Sequence, residues 1–309
     1  MSEVHLDLKI TERADSALLR TDFFLTIGSR RALKQLFSQG LIRQHGVALK
    51  ASSLLTPGKH TLHILESDPT SESNSTASIE ILFEDDAFLA LRKPRGVHSA
   101  PIPRQKNDTV VDRLLHTRST PFQTLPEAGL LHRLDRWTSG VLLFAKTEAI
   151  YTCMKAEWST RVHEKQYRAR VSLSEKEFMT FQNALPLKID LPLGHDLKDR
   201  KRMRIIKGEQ DLKYIRGPAL PAHTELLSLQ AIDPARAWAI VRIETGVQHQ
   251  IRVHLAHIGL PLDGDALYHP TPGPHAAKLG FILHHERLSF VHPITQKTLT
   301  IEDPYPCQN

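Results

Sequence analysis

Apolar and polar positions divide the chain into a short leading part, a polar break and a long second part. Residues 1–15 alternate apolar and polar, which predicts an edge strand. Ser29 suits a helix N-cap, because its hydroxyl accepts from the free amides of the first turn. Ala32, Leu33, Leu36 and Phe37 then recur at helical spacing until Gly40 ends the stripe. Leu41 to Lys50 reads as strand, turn near His45-Gly46, strand, and Thr61 to Leu65 alternates as a closing strand after a turn at Pro57-Gly58. From Ser67 to Ser78 the chain is rich in Ser and Thr and almost free of large apolar groups. Such a segment cannot bury enough surface to pack, so it reads as a linker.

Beyond the break, Ile79 to Gly96 predicts two strands joined at Glu84-Asp85-Asp86 and stopped by Lys93-Pro94. Val110 to Leu115 predicts a short helix capped by Asp108 or Thr109. Thr138-Ser139-Gly140 reads as a turn, and Val141 to Lys146 as a buried strand. Glu148 to Arg161 places Ile150, Tyr151, Met154 and Trp158 on one helical face, and Glu164 to Val171 alternates as a strand. A last helix over Gln250 to Ile258 buries Ile251, Leu255 and Ile258, with Gly246 ending the strand before it and Gly259 stopping it. Strands outnumber helices without regular alternation, which argues for an α+β fold on a mixed or antiparallel sheet.

Composition narrows the partner. Forty Lys and Arg against thirty-four Asp and Glu give a net charge of +6, which suits a polyanion. Two cysteines, Cys153 and Cys307, make no disulfide framework, so a reducing cytoplasm is expected. Neither a signal-peptide core nor a membrane-length apolar run is present, so no membrane partner is expected.

Candidate chemistry centres on Leu131-His132-Arg133-Leu134-Asp135-Arg136, where a carboxylate sits between two arginines at a loop-to-strand edge. Taken alone it reads as a turn aspartate with solvated arginines. Arg252 lies in the first turn of the last helix beside its buried stripe, and a partly dehydrated guanidinium seeks a carboxylate. Lys198 to Lys207 holds six basic residues and reads as a solvated loop or, if the partner is RNA, as one that contacts phosphates. His249, His254 and His257 invite a metal reading, but no carboxylate or cysteine stands at ligand spacing with them.

Taken together these segments are decisive. The Asp135 stretch with Thr138-Ser139-Gly140, Lys165-Gln166-Tyr167, Asp190 to Gly194, Arg200 to Met203, His249 to Leu255, Gly264 to Tyr268, Leu283-His284 and His292-Pro293 resemble the RluA family of pseudouridine synthases, over almost the whole chain from Ile79. Residues 19–65 resemble, more loosely, the small RNA-binding module named for a ribosomal small-subunit protein. The expected organisation is therefore an α+β RNA-binding module over 1–66, a linker over 67–78 and a catalytic domain over 79–309. That domain is expected to carry a mixed, mostly antiparallel sheet and a central cleft.

The resemblance implies the reaction and the roles. Uracil leaves C1′ of its ribose, rotates and rejoins through C5, with no cofactor and no metal. Asp135 matches the catalytic aspartate, Tyr167 the tyrosine that stacks on the substrate, Arg252 the arginine paired with the aspartate, and Arg133 the arginine that fills the stack left by the flipped uridine. A base inside a helix is unreachable until it is flipped. Asp135 has to be ionised whether it adds to the sugar, adds to the base or takes a ribose proton, and Arg252 favours the charged form. Arg136, Arg30, Arg31, Lys34, Arg43, Arg200 and Arg202 are the further RNA contacts expected. The partner is then rRNA or tRNA, rRNA slightly favoured, and the protein a monomer. Departures from the family pattern are Val247-Gln248 for Arg-Thr, Trp137 for a small or acidic residue, and His269 for glycine. All bear on substrate contacts. The competing readings are an RNA-binding or ribosome-assembly protein with vestigial motifs, and a metal-dependent hydrolase.

Overall fold

In the computed structural model, which describes residues 2–19, 21, 33, 37, 42–45, 47–64, 79–102, 108–272 and 280–305, the chain divides into two units. Met1–Ser75 with Ile102–Asn107 forms one, and Thr76–Pro101 with Asp108–Asn309 the other. The leading unit contains β1 (Ser2–Leu8), β2 (Glu12–Arg13), α1 (Ala14–Leu18), β3 (Ile42–Gln44), β4 (Val47–Ala48), β5 (Leu54–Leu55) and β6 (Gly58–Ile64). Four of the strands make an antiparallel sheet in the order β1-β6-β3-β4, so β1 is an edge strand as its alternation predicts. Val4, Leu6 and Leu8 are buried with Leu18, Ile42 and Leu62, while His5 and Asp7 on the other face are exposed. Helix α1 carries too few residues for a periodic signal and was not expected. The helix expected between Ser29 and Gly40 lies outside the described residues, except for Leu33 and Phe37, which are helical and buried.

The second unit runs β7 (Glu80–Glu84), β8 (Phe88–Lys93), α2 (Val110–Thr117), β9 (Thr138–Ala145), α3 (Glu148–Arg161), β10 (Val162–Ser172), α4 (Glu175–Gln182), β11 (Leu187–Asp190), β12 (Leu193–Asp196), β13 (Met203–Ile205), β14 (Ile215–Leu220), β15 (His223–Asp233), β16 (Arg236–Ile243), α5 (Gln250–His257), β17 (Leu283–Val291) and β18 (Thr298–Glu302). Eight strands form one sheet in the order β11-β15-β16-β10-β17-β9-β8-β7, and β18 adds to β17. Its pairings are antiparallel except β9 with β17. The α+β fold with a mixed, mostly antiparallel sheet is therefore present.

Every residue of β9 is buried because the strand is covered on both faces. Val141, Leu143 and Ala145 pack with Ile150 and Met154 of α3, while Leu142 and Phe144 pack with Val110 and Leu114 of α2. At roughly 1.5–3 kcal/mol for each large side chain buried, this two-sided packing fixes the strand that follows Asp135. Thr109 caps α2 by accepting from the Asp112 amide at 3.1 Å, whereas Asp108 pairs with Arg113.

Two expectations are corrected. Thr138-Ser139-Gly140 is the start of β9, not a turn, because these residues pair in parallel with Leu283–His285. Gly140 is required there: its φ is +103°, and a Cβ would lie 2.3 Å from the His285 carbonyl oxygen. Lys198 to Lys207 is not all loop, since β13 lies within it and pairs with β12, burying Met203.

Candidate active site

Asp135 stands just ahead of β9, in a segment held from below by Lys93 at the end of β8. The Lys93 ammonium is fully buried and donates to the carbonyls of Thr138 (2.6 Å), Pro94 (3.0 Å) and Arg136 (3.1 Å). Burial pulls its pKa down to about 7, with the Asp135 charge pulling the other way. Ser99 closes the other side, donating from its hydroxyl to the Leu134 carbonyl (2.9 Å) and accepting from the Leu134 amide (3.0 Å).

Helix α5 is buried along most of its length, which places Arg252 against this segment from the opposite direction. Its Nη1 donates to Asp135 Oδ2 at 2.9 Å, while Nε and Nη2 make a bidentate pair with Asp265 at 2.7 and 2.9 Å. Asp265 is fully buried and is fixed in turn by the amides of Leu267 (2.9 Å) and Tyr268 (3.3 Å). The guanidinium lies over the rings of Phe281 (4.4 Å) and Tyr268 (5.0 Å). Burial opposes the Arg252 charge, and the two carboxylates more than offset it, so the guanidinium is held more firmly protonated. Asp135 itself keeps about a quarter of its side chain exposed, at 26%. The carboxylate is thus anchored at one oxygen and open to a ligand.

Tyr167 comes from β10, where it is paired across the sheet with His285 of β17. The two rings stack with centroids 4.5 Å apart and planes 14° from parallel, so His285 covers one face of the tyrosine. The His285 Nδ1–H donates to the Val141 carbonyl at 2.7 Å, and burial holds the ring's pKa near 3, leaving it neutral. Burial, and then the Asp135 charge, push the Tyr167 hydroxyl well above its ordinary pKa. A second aromatic pair lies beside Arg252: His249 Nδ1 is 2.8 Å from the Tyr268 hydroxyl, which also accepts from the Met203 amide at 2.8 Å. His249 Nε2 faces Asp135 Oδ2 at 3.8 Å.

The remaining sequence-predicted residues separate. Arg133 is exposed and ion-paired with Glu127. Arg136 is exposed, donates from Nε to the Gly96 carbonyl (2.8 Å) and lies over Trp137 at 5.1 Å. Arg200 and Arg202 are exposed at the start of the β13 hairpin, and Arg202 lies over Tyr268 at 5.3 Å. Arg43 is on β3 in the leading unit, and Arg30, Arg31 and Lys34 lie outside the described residues. His254 is consumed structurally, with Nδ1 2.8 Å from the Thr224 hydroxyl and Nε2 2.9 Å from the Leu191 carbonyl. No cluster of three potential metal ligands occurs among the described residues, and no helix among them is long and apolar enough to cross a membrane.

A family model described as RNA pseudouridylate synthase matches residues 87–257, more than half of the chain. The chain belongs to that family. An uncharacterized RNA pseudouridine synthase of Synechocystis sp. is 30% identical over 283 residues, which span 90% of this chain and 82% of the relative. A ribosomal large subunit pseudouridine synthase D of Xylella fastidiosa is 30% identical over 292 residues, again 90% and 82% of the two chains. The solved structure of human RNA pseudouridylate synthase domain containing 1 has the same fold, with a TM-score of 0.58 at 22% identity over 74% of this chain and 84% of that one.

The matched span of the synthase holds Asp135, Tyr167 and Arg252, while Asp265, Phe281 and His285 come after it. Asp265 was missed as the second anchor because Gly264 to Tyr268 shows no periodicity that orients it; its only sequence signal is the motif it sits in. Lys93 was read as a strand stop. The departures are accommodated locally. Trp137 packs against Gly280, where a Cβ would lie 2.1 Å from the indole, so glycine is what admits the ring. The Val247 amide donates to Gln250 Oε1 (3.1 Å), and His269 Nδ1 accepts from the Thr271 amide (3.1 Å).

Proposed function

We propose that the synthase flips a uridine of large-subunit rRNA out of its stack and isomerises it at Asp135. The observation that carries this reading is the Asp135–Arg252–Asp265 chain of ion pairs, which holds one carboxylate oxygen at 2.9 Å and leaves the side chain partly open. In the reaction the N1–C1′ bond breaks, a C5–C1′ bond forms, C5 loses a proton and N1 gains one. The Asp135 carboxylate serves each route to that outcome, and Arg252 supplies its countercharge.

Tyr167 is buried with one ring face on His285, and a flipped base that stacks on its other face gains about 1–3 kcal/mol. Arg133 fills the vacated stack. Its present partner Glu127 is exposed, and an exposed ion pair contributes at most about 1 kcal/mol, so the exchange is inexpensive. Arg136 packs the loop, Arg200 and Arg202 contact phosphates, and residues 1–66, with Arg30, Arg31, Lys34 and Arg43, position RNA without reading its sequence. Support for an rRNA target comes from relatives of Zymomonas mobilis and Xylella fastidiosa, 28% and 30% identical, that are named ribosomal large subunit pseudouridine synthase D. The enzyme works in the cytoplasm as a monomer, without cofactor or metal.

Asp135→Asn keeps the shape and removes the charge. It abolishes pseudouridine formation while RNA affinity stays within about twofold, since affinity rests on phosphate contacts from basic residues, which the substitution leaves in place. Mapping pseudouridines in total RNA from cells with and without the protein then identifies the target. Loss confined to tRNA sinks the rRNA reading, and full turnover by Asp135→Asn sinks the catalytic one.

A further inference from the structure

His249 is the residue beside Asp135 for which the reading above has no use. It caps helix α5 in the left-handed region, with φ +57° and ψ +14°, a conformation that a non-glycine residue adopts mainly where its surroundings impose it. Its side chain is 11% exposed, and the groups that face it are Asp135, Arg252, Asp265, His195 and Tyr268.

Its hydrogen bonds fix where the ring proton sits. The Tyr268 hydroxyl accepts from the Met203 amide at 2.8 Å, and its own proton needs an acceptor. Burial raises that hydroxyl to about 12, so the proton stays on. The acceptor within reach is His249 Nδ1, at 2.8 Å. A neutral imidazole that accepts at Nδ1 carries its proton on Nε2. Burial lowers the His249 pKa, against the pull of Asp135, which favours this neutral form. Nε2 is the nitrogen that faces Asp135 Oδ2 at 3.8 Å, and Arg252 Nη1 donates to the same oxygen at 2.9 Å.

We propose that His249 is a positioning residue for Asp135: Tyr268 sets its tautomer, its Nε2–H is directed at Oδ2 alongside Arg252, and Oδ1 is left to meet the substrate. A contact of 3.8 Å closes to a hydrogen bond by a small rotation, as contacts of catalytic groups do when substrate binds. The inference rests on the reading of Asp135 as the essential carboxylate, and adds which oxygen acts and what holds the other.

The test uses nitrogen-15 NMR of the full chain, with the His249 signals assigned from their loss in His249→Gln. At neutral pH His249 shows the Nε2–H tautomer, and Tyr268→Phe mixes the two tautomers. With total RNA from cells lacking the protein as substrate, His249→Ala lowers the rate at saturating RNA by about tenfold to a hundredfold, the usual worth of one hydrogen bond to a charged group. His249→Gln, which keeps a donor near Nε2, recovers most of that rate. A pure Nδ1–H tautomer overturns the proposal, as does a wild-type rate in His249→Ala or an equal loss in Ala and Gln variants. Failure of the underlying reading is seen separately, as turnover by Asp135→Asn.

Discussion

Two arginines near Asp135 show opposite solutions to holding a cation. Arg252 is 5% exposed and lies between two carboxylates, Asp135 and the fully buried Asp265. The Arg133 side chain is 61% exposed and has one partner, Glu127, itself 41% exposed. In the first case Arg252 and Asp265 have both lost their water, so neither can leave without stranding the other. In the second, water replaces either partner at small cost. The difference divides the site into a fixed part that holds the carboxylate and an exchangeable part at the surface.

The largest test of this division removes the buried anchor. Asp265→Leu leaves the Arg252 guanidinium half-paired in an apolar setting and costs about 3–5 kcal/mol of stability. The double variant Arg252→Met, Asp265→Leu recovers a good part of that loss, because the one charge left without its partner, Asp135, is partly exposed to water, yet it forms no pseudouridine. Thermal and urea unfolding of the three proteins measure the first effect, and pseudouridine counting the second. If Asp265→Leu unfolds within about 1 kcal/mol of the parent, the pair is no buried clamp and the division fails.

Lys93 sharpens the comparison, being buried like Arg252 but paired only with carbonyls. Without a neutralising hydrogen-bonded carboxylate, burial depresses its folded pKa to about 7 from the ordinary 10.5. Between those values the unfolded chain binds the proton and the folded chain does not, so stability rises with pH across that window. The contribution between pH 7 and pH 9 is about 2 kcal/mol, with Lys165, lowered to about 8 by burial, adding in the same direction. Lys93→Met flattens the slope of melting temperature against pH over this range. An unchanged slope would show that Lys93 stays protonated in the folded enzyme.

What the sequence disclosed follows from how local each cause is. Helix α3 and strands β7, β8 and β10 were legible because their periodicity is set by the face they bury. The start of β9 was not, since Thr138-Ser139-Gly140 has turn composition and becomes a strand through pairing with residues about 145 positions later. The same holds at the site. Asp135, Tyr167 and Arg252 were found by their motifs, whereas the burial of Asp265 and the stacking of His285 on Tyr167 exist only once strands β10, β17 and helix α5 are assembled. Arg133 was singled out by its motif, whereas its pairing with Glu127 depends on backbone that no periodicity reports: Glu127, Ala128 and Gly129 are consecutively left-handed, at φ +49°, +55° and +77°.

That pairing supplies the smallest test and the most specific one. Glu127→Gln keeps the unusual backbone and removes the charge, so stability changes by less than about 1 kcal/mol. If Arg133 must leave Glu127 to fill the space of the flipped uridine, releasing it in advance tightens RNA binding by up to about fivefold, the equivalent of that same 1 kcal/mol. Affinity for total RNA lacking the modification, measured by filter binding at fixed salt, reads the change. Removing any negative charge near RNA also strengthens binding, so Arg133→Gln provides the control. In that background Glu127→Gln has no partner to release, and only the general electrostatic gain remains. Equal gains with and without Arg133 would mean that the arginine is not the moving part, and that the exposed half of the site acts through charge alone.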